Sequence, residues 1–128
     1  MKFHLTKAEN HQLITGFGKD QDGVFFVAIN DIKYSQALLV TGSQTITEHN
    51  IRDFDTLTAN HFDQILKLNP EVVLLGTGEK HRFIHSKLTT LLTEKYIPVE
   101  CMTTAAACRT FNILVSEGRN VVAILLFK

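Results

Sequence analysis

The residues best suited to chemistry lie in two short segments of the second half of the chain. Gly76, Thr77 and Gly78 follow an apolar run at 72–75, while Thr103 and Thr104 precede three alanines at the start of a predicted helix. In an open α/β sheet, ligands bind beyond the carboxyl ends of the strands. Glycines there let the backbone approach a ligand, and a helix start offers free N–H groups. The pattern predicts a crevice that holds a small anion, such as a phosphate group.

Two cations and an amide can complete this anion site. Arg109 and Asn112 fall on the polar side of the helix, and helical side chains lean towards the helix N-terminus, so Arg109 can reach back to the crevice. Lys80 can arrive from the glycine loop. A structural interpretation uses the same residues: the glycines make a tight turn, the threonines cap the helix, and Arg109 pairs with Glu79 or Glu100. GTG matches neither the dinucleotide-binding motif nor the P-loop, so both interpretations stay open.

The remaining candidates for chemistry fit structural roles better. His81 and His85 have the four-residue spacing of metal ligands on a helix, but no obvious third ligand accompanies them. Cys108 falls in the apolar half of its helix, where we expect it to pack rather than to act as a nucleophile. The sequence therefore predicts no catalytic residue, no metal site and no cofactor.

Composition and charge describe an ordinary globular chain of 128 residues, of which 45% are hydrophobic. The 13 basic and 13 acidic residues cancel, which argues against binding to nucleic acid or to an anionic membrane surface. The longest apolar run is too short to span a bilayer. Met1 leads directly into strand-like sequence, without room for a signal peptide, and Cys101 and Cys108 are expected to be reduced. We expect a cytoplasmic protein without membrane insertion, folded as a single domain over 1–128.

The carboxyl-terminal half alternates helices with strands, the pattern of an α/β protein. The predicted order is a helix over 58–69, a strand over 72–76, a helix over 83–96, a strand over 98–102, a helix from the Thr103 cap to the Gly118 stop, and a strand over 121–127. In the second of these helices, Leu91 is expected to face inward. Phe111 lies at the centre of the apolar face of the last helix and is expected to anchor the core. The last strand, VVAILLF, contains no polar residue, which indicates a strand covered on both faces.

The amino-terminal part predicts an antiparallel meander without helices. The predicted strands cover 1–5, 13–17, 24–29 and 32–42, with turns at Asp22-Gly23 and Asn30-Asp31. The following segment, 42–55, is the least periodic part of the chain. We expect a partly extended connection there, anchored by Ile46, Ile51 and Phe54.

The segment from VVLLGTG to PVECMTTAAACRTFNILVSEGRNVVAILLF resembles the adipogenesis-associated Mth-like domain family, and GFG and IKYSQALLV precede it in family order. The positions that match the family motif are Gly76, Thr77, Gly78, Thr104, Ala106, Cys108, Arg109, Thr110, Asn112, Glu117, Gly118 and Arg119. The chain departs from the family in its first glycine turn, KDQDG, and in the middle connection, where Phe54 replaces a tryptophan. The resemblance implies a three-layer α/β fold with a mixed central sheet, whose last strand lies inside the sheet and antiparallel to its neighbours.

The resemblance also implies protein binding rather than catalysis. The family includes bacterial and archaeal proteins of unknown function and a mitochondrial complex I assembly factor, which acts by binding other proteins. We therefore expect a non-catalytic interaction or assembly factor with other proteins as partners, linked by resemblance to respiratory complex assembly. The alternative is a protein that binds a small anionic ligand, or an unrecognised enzyme, in the crevice between the Gly76–Gly78 loop and the Thr103 helix start. In a third interpretation that region only closes the fold.

Overall fold

The computed structural model describes residues 12–127, and the strand predicted over 1–5 lies outside them. The strands are β1 (Ile14–Lys19), β2 (Phe25–Ile29), β3 (Ile32–Tyr34), β4 (Leu38–Thr41), β5 (Thr45–Ile46), β6 (Val72–Gly76), β7 (Val99–Met102) and β8 (Val121–Leu125). The α-helices are α1 (Ala59–Ile65), α2 (Thr90–Glu94) and α3 (Thr104–Ser116), and 3-10 turns cover Phe54–Thr56, Leu66–Leu68 and Ser86–Thr89.

The strands form two sheets. The smaller sheet is the predicted antiparallel meander, in the order β1-β2-β3, and the larger sheet has the order β5-β4-β8-β6-β7. Strand β8 lies inside the larger sheet, antiparallel to β4 but parallel to β6. The expectation that β8 is antiparallel to its neighbours is therefore wrong for β6. Since β7 is parallel to β6 and the helix α3 connects β7 to β8, this crossover returns β8 in the direction of β6 and β7.

The larger sheet carries apolar side chains on both faces. One face packs against α3 and the smaller sheet, where Phe111 is fully buried, and the other packs against α1 and α2, where Phe62 is fully buried. Strand β8 serves both cores, because alternate residues of a strand point to opposite faces and none of its side chains is polar. The predicted three-layer arrangement with a mixed central sheet is confirmed, as is the core position of Phe111.

The helix predicted over 83–96 is much shorter in the structure. Its first residues, 83–85, lie in a loop, because His85 has an extended backbone and caps the 3-10 turn that follows, its Nδ1 accepting from the Lys87 N–H at 3.1 Å. Only a 3-10 turn and α2 follow that loop. Leu91 is exposed on α2, so its predicted inward position is wrong.

The strand predicted over 32–42 is divided between the two sheets. Strand β3 ends the small meander, where Ile32 is exposed, and β4 begins after a three-residue gap as a strand that is buried throughout. The difference follows from the sequence, since IKY is half polar whereas LLVT is almost wholly apolar and suits the covered central sheet.

The remaining local predictions agree with the structure. Gly23, Asn30 and Asp31 have positive φ angles, as hairpin turns require. The helix over 58–69 is present as α1 followed by a 3-10 turn, and it ends at Asn69, whose φ of 53° is left-handed. The three predicted anchors of the connection after β4, Ile46, Ile51 and Phe54, belong to the core between the sheet and α1.

Candidate functional site

The predicted anion crevice is a hydrogen-bonded junction between β6 and α3. Thr104 is fully buried, and its Oγ1 accepts from the Gly78 N–H at 2.8 Å and donates to the Leu126 carbonyl at 2.5 Å. The Thr104 N–H in turn donates to the Gly78 carbonyl at 2.9 Å. We call residues 76–78 and 103–104 the strand–helix joint. In the joint, the polar groups that were expected to bind a ligand form hydrogen bonds with each other instead.

Close packing explains why glycine is needed in the joint. A Cβ atom at Gly76 would lie 3.0 Å from both Cα and Oγ1 of Thr104 and 3.2 Å from Cβ of Ala107. Such distances are shorter than most Cβ contacts, so a side chain at position 76 would push these neighbours apart, and glycine lets the end of β6 touch the first turn of α3. Thr77 also faces inward, and its N–H donates to the Met102 carbonyl at 2.8 Å.

The two threonines at the start of α3 have different roles. Thr103 is the N-cap, because its Oγ1 accepts from the Ala106 N–H at 3.2 Å. The expectation that Thr104 offers its hydroxyl to the same turn is wrong, since that hydroxyl is shared between Gly78 and Leu126. These contacts favour the structural interpretation of the joint, while ligand binding there stays a prediction.

The side chain of Arg109 lies away from the joint. It is exposed, and its guanidinium carbon is 5.9 Å from the centre of the Phe17 ring on β1. Within residues 12–127 it makes no ion pair with Glu79 or Glu100, and Glu79 instead pairs with Lys19 at 3.5 Å. The side chain thus contacts β1 in this structure, and the expectation that Arg109 binds an anion at the helix start stays a prediction.

Lys80 and Asn112 also lie apart from each other. Lys80 is exposed, and its carbonyl rather than its ammonium group is held by Thr77. Asn112 binds the edge of β1: its Oδ1 accepts from the Ile14 N–H at 2.8 Å, and its Nδ2 donates to the Ile14 carbonyl at 2.8 Å. One amide thus replaces a neighbouring strand at that point of the edge, which ties α3 to the smaller sheet.

Exposed apolar side chains surround this tie. Leu13 is 43% exposed, Phe17 37% and Ile113 56%, and Arg109 covers the Phe17 ring. A small hollow of about 110 Å³ lies here, and Phe17, Arg109 and Asn112 contribute to its walls. We call the set Leu13, Phe17, Arg109, Asn112 and Ile113 the α3–β1 seam.

Cys108 is buried on the inner side of α3, as predicted. Burial raises the pKa of its thiol to about 12, although the nearby Arg109 charge lowers it. Burial also raises the pKa of Cys101, and both cysteines are unpaired. Both thiols are thus poor nucleophiles near neutral pH, since the thiolate is the reactive form.

Metal ligands are not clustered in the described part of the chain. Within residues 12–127, no three His, Cys, Asp or Glu side chains are arranged to hold a metal ion. The ring of His81 contacts the exposed ring of Phe83, with 4.5 Å between their centres.

A second hollow of the described structure was not predicted from the sequence. It is an open cleft of about 1220 Å³ between the β3–β4 connection and the segment that follows β5, and we call it the connector cleft. Its walls come from residues 33–38 and from residues of the segment 47–53, and Phe127 closes one end. The only signal in the sequence was a polar, aperiodic segment after Gly42, and nothing in that segment indicated which part of the chain it would face.

A scan of protein families matches residues 14–126 to a family described as a protein of unknown function (DUF498/DUF598). The chain belongs to this family. A solved structure from Bordetella pertussis, described as a Mth938-like domain, is similar with a TM-score of 0.74 and 25% identity, covering 90% of this chain and 85% of that chain. The resemblance to the Mth-like domain family is confirmed.

Two relatives carry names that describe a place or a role. A Francisella tularensis protein named 13 kDa major membrane protein is 32% identical over 99 residues, which cover 77% of this chain and 80% of that protein. The rat NADH dehydrogenase [ubiquinone] 1 alpha subcomplex assembly factor 3 is 36% identical over 78 residues. That match covers 59% of this chain but only 42% of the longer assembly factor. In the described part of this chain, no helix has the length and hydropathy of a membrane span.

Proposed function

We propose that this chain is a non-catalytic interaction or assembly factor that binds another protein through the α3–β1 seam. The observation that carries the proposal is the group of apolar side chains left exposed there, Leu13, Phe17 and Ile113. Aromatic and aliphatic side chains beside an arginine are typical of the centres of protein interfaces. The relative named as an assembly factor supports the same role.

The seam is well suited to docking because its backbone is held in place. The paired bonds between the Asn112 amide and Ile14 fix α3 against the edge of β1, and the exposed Leu13 and Ile113 directly adjoin these two residues in the sequence. A surface that is already ordered loses less conformational entropy when a partner binds. A partner with an apolar patch and an acidic group opposite Arg109 fits this surface.

The finer parts of the proposal depend on the relatives and on the sequence. A role in assembling a respiratory complex comes from the relative of that name, which is longer than this chain. A cytoplasmic location, a single domain and the absence of catalysis are proposed from the composition and motifs. The Francisella relative named as a membrane protein makes attachment to a membrane-bound partner a natural extension of the same role.

The proposal can be tested with two matched variants in a quantitative pull-down from cells of the native source. Ile113→Asp places a charge in the seam, whereas Ile32→Asp places the same charge on β3, where Ile32 is 59% exposed. We expect the Ile113 variant to lose a specific partner protein and the Ile32 variant to keep it, because a charge is costly in an apolar contact. Thermal melts of both variants establish that each is folded.

The opposite results are equally informative. If both folded variants capture the same proteins as the original chain, the seam is not the docking surface. If the Ile32 variant alone loses the partner, the docking surface lies on the smaller sheet.

A further inference from the structure

The connector cleft contains polar groups that the proposed interaction does not use. His49 lines the cleft, and its Nδ1 accepts from the Ile51 N–H at 3.2 Å. A ring nitrogen that accepts a backbone N–H carries no proton, so the proton of a neutral His49 ring is on Nε2. His49 therefore presents a hydrogen-bond donor on the far side of its ring.

A second histidine sets the orientation of the neighbouring amide. His61 is buried, and its Nδ1 accepts from the Thr58 N–H at 3.0 Å, so its proton is on Nε2. That Nε2 lies 2.9 Å from Oδ1 of Asn50 and donates to it. Because the Asn50 Oδ1 accepts from His61, the orientation of the amide is fixed. Its Nδ2, which has only donors, therefore lies on the other side of the amide. Asn50 also lines the cleft.

The charges of the cleft add to this bias towards donors. Arg52 is exposed on the cleft wall, while Lys33 lies at the opposite wall with its ammonium group 4.6 Å from the centre of the Phe26 ring. Asp53 is the acidic residue among the lining side chains, and its Oδ1 accepts from the Thr56 N–H at 3.0 Å and from the Thr56 hydroxyl at 3.1 Å. The cleft therefore has two cationic side chains, Lys33 and Arg52, against the one carboxylate of Asp53.

The floor of the cleft is apolar. Ala37, Leu38 and Ile51 are buried beneath it, and Phe127 stands at one end, where its ring contacts Phe25 with 5.6 Å between the ring centres. Small-molecule sites combine an apolar lining with a few converging polar groups, and they usually occupy about 300–1,000 Å³. The volume of about 1220 Å³ is sufficient for a molecule of metabolite size.

We propose that the connector cleft binds a small organic anion that carries a carboxylate or phosphate group on an apolar body. Asn50 Nδ2, His49 Nε2 and the Arg52 guanidinium hold the oxyanion, and the apolar body rests on Ile51 and Phe127. The hydrogen bonds of His61 and of the Ile51 N–H orient two of these donors before any ligand arrives. The site is separate from the strand–helix joint and from the α3–β1 seam, so it stands or falls independently of the proposed interaction.

The proposal is tested by NMR titration of the full chain labelled with ¹⁵N. The probes are benzoate, phenyl phosphate and the neutral analogue benzamide, which has a similar shape to benzoate. We expect saturable shifts of the backbone signals of residues 47–53 and of the Asn50 NH₂ group with an anion but not with benzamide. The comparison of benzoate with phenyl phosphate shows which oxyanion the cleft prefers.

Two variants with matched controls then examine the donors. Arg52→Gln should weaken binding of the preferred anion by about tenfold or more, because it removes a charge-assisted hydrogen bond. Arg119→Gln removes an arginine that pairs with Glu71 elsewhere on the surface, and it should leave binding unchanged. Asn50→Asp keeps the acceptor for His61 but replaces the NH₂ donors with a negative charge, so it should abolish binding and preserve the fold.

The control for that added charge is Gln21→Glu at the exposed β1–β2 turn, which should bind as the original chain does. The proposal is overturned if neither anion gives saturable shifts in the cleft or if benzamide binds as tightly. It is equally overturned if Arg119→Gln and Arg52→Gln weaken binding to the same extent.

Discussion

The strand–helix joint and the connector cleft both contain polar groups, but those of the joint are buried and bonded to each other, whereas those of the cleft line an open surface. In the joint, the Thr104 hydroxyl and the backbone of Gly78 are buried and bonded to each other. In the cleft, His49, Asn50 and Arg52 line an open hollow, and the internal bonds use only part of their hydrogen-bonding capacity. Glycines and threonines beside a helix start can thus be a packing device, while an aperiodic connection provides the open polar surface.

Packing of the neighbouring elements explains this difference. Strand β6 is buried throughout, and Thr77 and Thr104 in the joint are buried as well, so their polar groups must bond within the protein. The 47–53 segment lies at the edge of the larger sheet, where β5 is only two residues long. Solvent reaches that segment, so its polar side chains do not all need partners within the protein.

The largest expected effect comes from the joint. Thr104→Val should lower the free energy of unfolding by about 2–6 kcal/mol, because it leaves the Gly78 N–H and the Leu126 carbonyl without partners, at about 1–3 kcal/mol each. Urea denaturation measures the loss. The matched control is Thr110→Val on the same helix, where the hydroxyl donates to the Ala106 carbonyl, a group already bonded within the helix. Equal losses in both variants would contradict the distinction between the joint and the open surface.

A smaller loss of stability is expected at alkaline pH, and it would show that water does not reach the inner side of α3. The Cys108 thiol has a pKa of about 12 in the folded protein, against 9.0 for the ordinary value. Between these values the unfolded chain loses the proton while the folded chain keeps it, so stability is complete below pH 9 and falls as the pH rises. This single group should lower the free energy of unfolding by about 1.4 kcal/mol at pH 10.

The measurement is urea denaturation between pH 8 and pH 10, with Cys108→Ala as the reference. Other groups also titrate in this range, so only the difference between the two pH profiles reports Cys108. The profile of the variant should fall less steeply than that of the original chain. Parallel profiles would mean that Cys108 is accessible to water in the folded protein.

The smallest expected effect belongs to Arg109, which lies outside both the joint and the cleft. Arg109→Ala should cost no more than about 1 kcal/mol of stability, because an exposed cation above an aromatic ring contributes about 0.5–1 kcal/mol. Thermal melting checks this, and Arg109→Lys serves as the variant that keeps the charge. A loss of several kcal/mol in Arg109→Ala, with Arg109→Lys unaffected, would indicate a buried ion pair and move Arg109 into the joint.

Much of the fold could be predicted because its elements have strong local signals. The apolar run of β8, the Thr103 cap and the Gly118 stop defined the carboxyl-terminal elements to within a few residues. The helix predicted over 83–96 begins late because the backbone of His85 is extended and its side chain caps the 3-10 turn by accepting from the Lys87 N–H. A side chain that bonds to the backbone can override apolar spacing that is typical of a helix.

The candidate sites show the same division between local and distant information. Asn112 was chosen as a ligand-binding residue from its place on the polar side of α3, yet its amide bonds to Ile14, 98 residues away along the chain. The connector cleft likewise requires residues 33–38 and 47–53 to face each other across the end of the sheet. Neither pairing has a signal within one segment of sequence.

The sequence by itself determined most of the helices and strands, which strands are buried on both faces, and several of the ends set by glycine and threonine; the helix over 83–96 and the strand over 32–42 are the exceptions. These properties depend on residues within one or two turns of each other, and they are strong wherever the apolar period is regular. Only the tertiary structure decided that β8 runs parallel to β6, that the Thr104 hydroxyl bonds to Gly78 and Leu126, and that Asn50 and Arg52 line an open cleft. Those outcomes depend on contacts between distant segments: the crossover through α3 sets the direction of β8, and a buried polar group must bond to whichever partner the packing brings near.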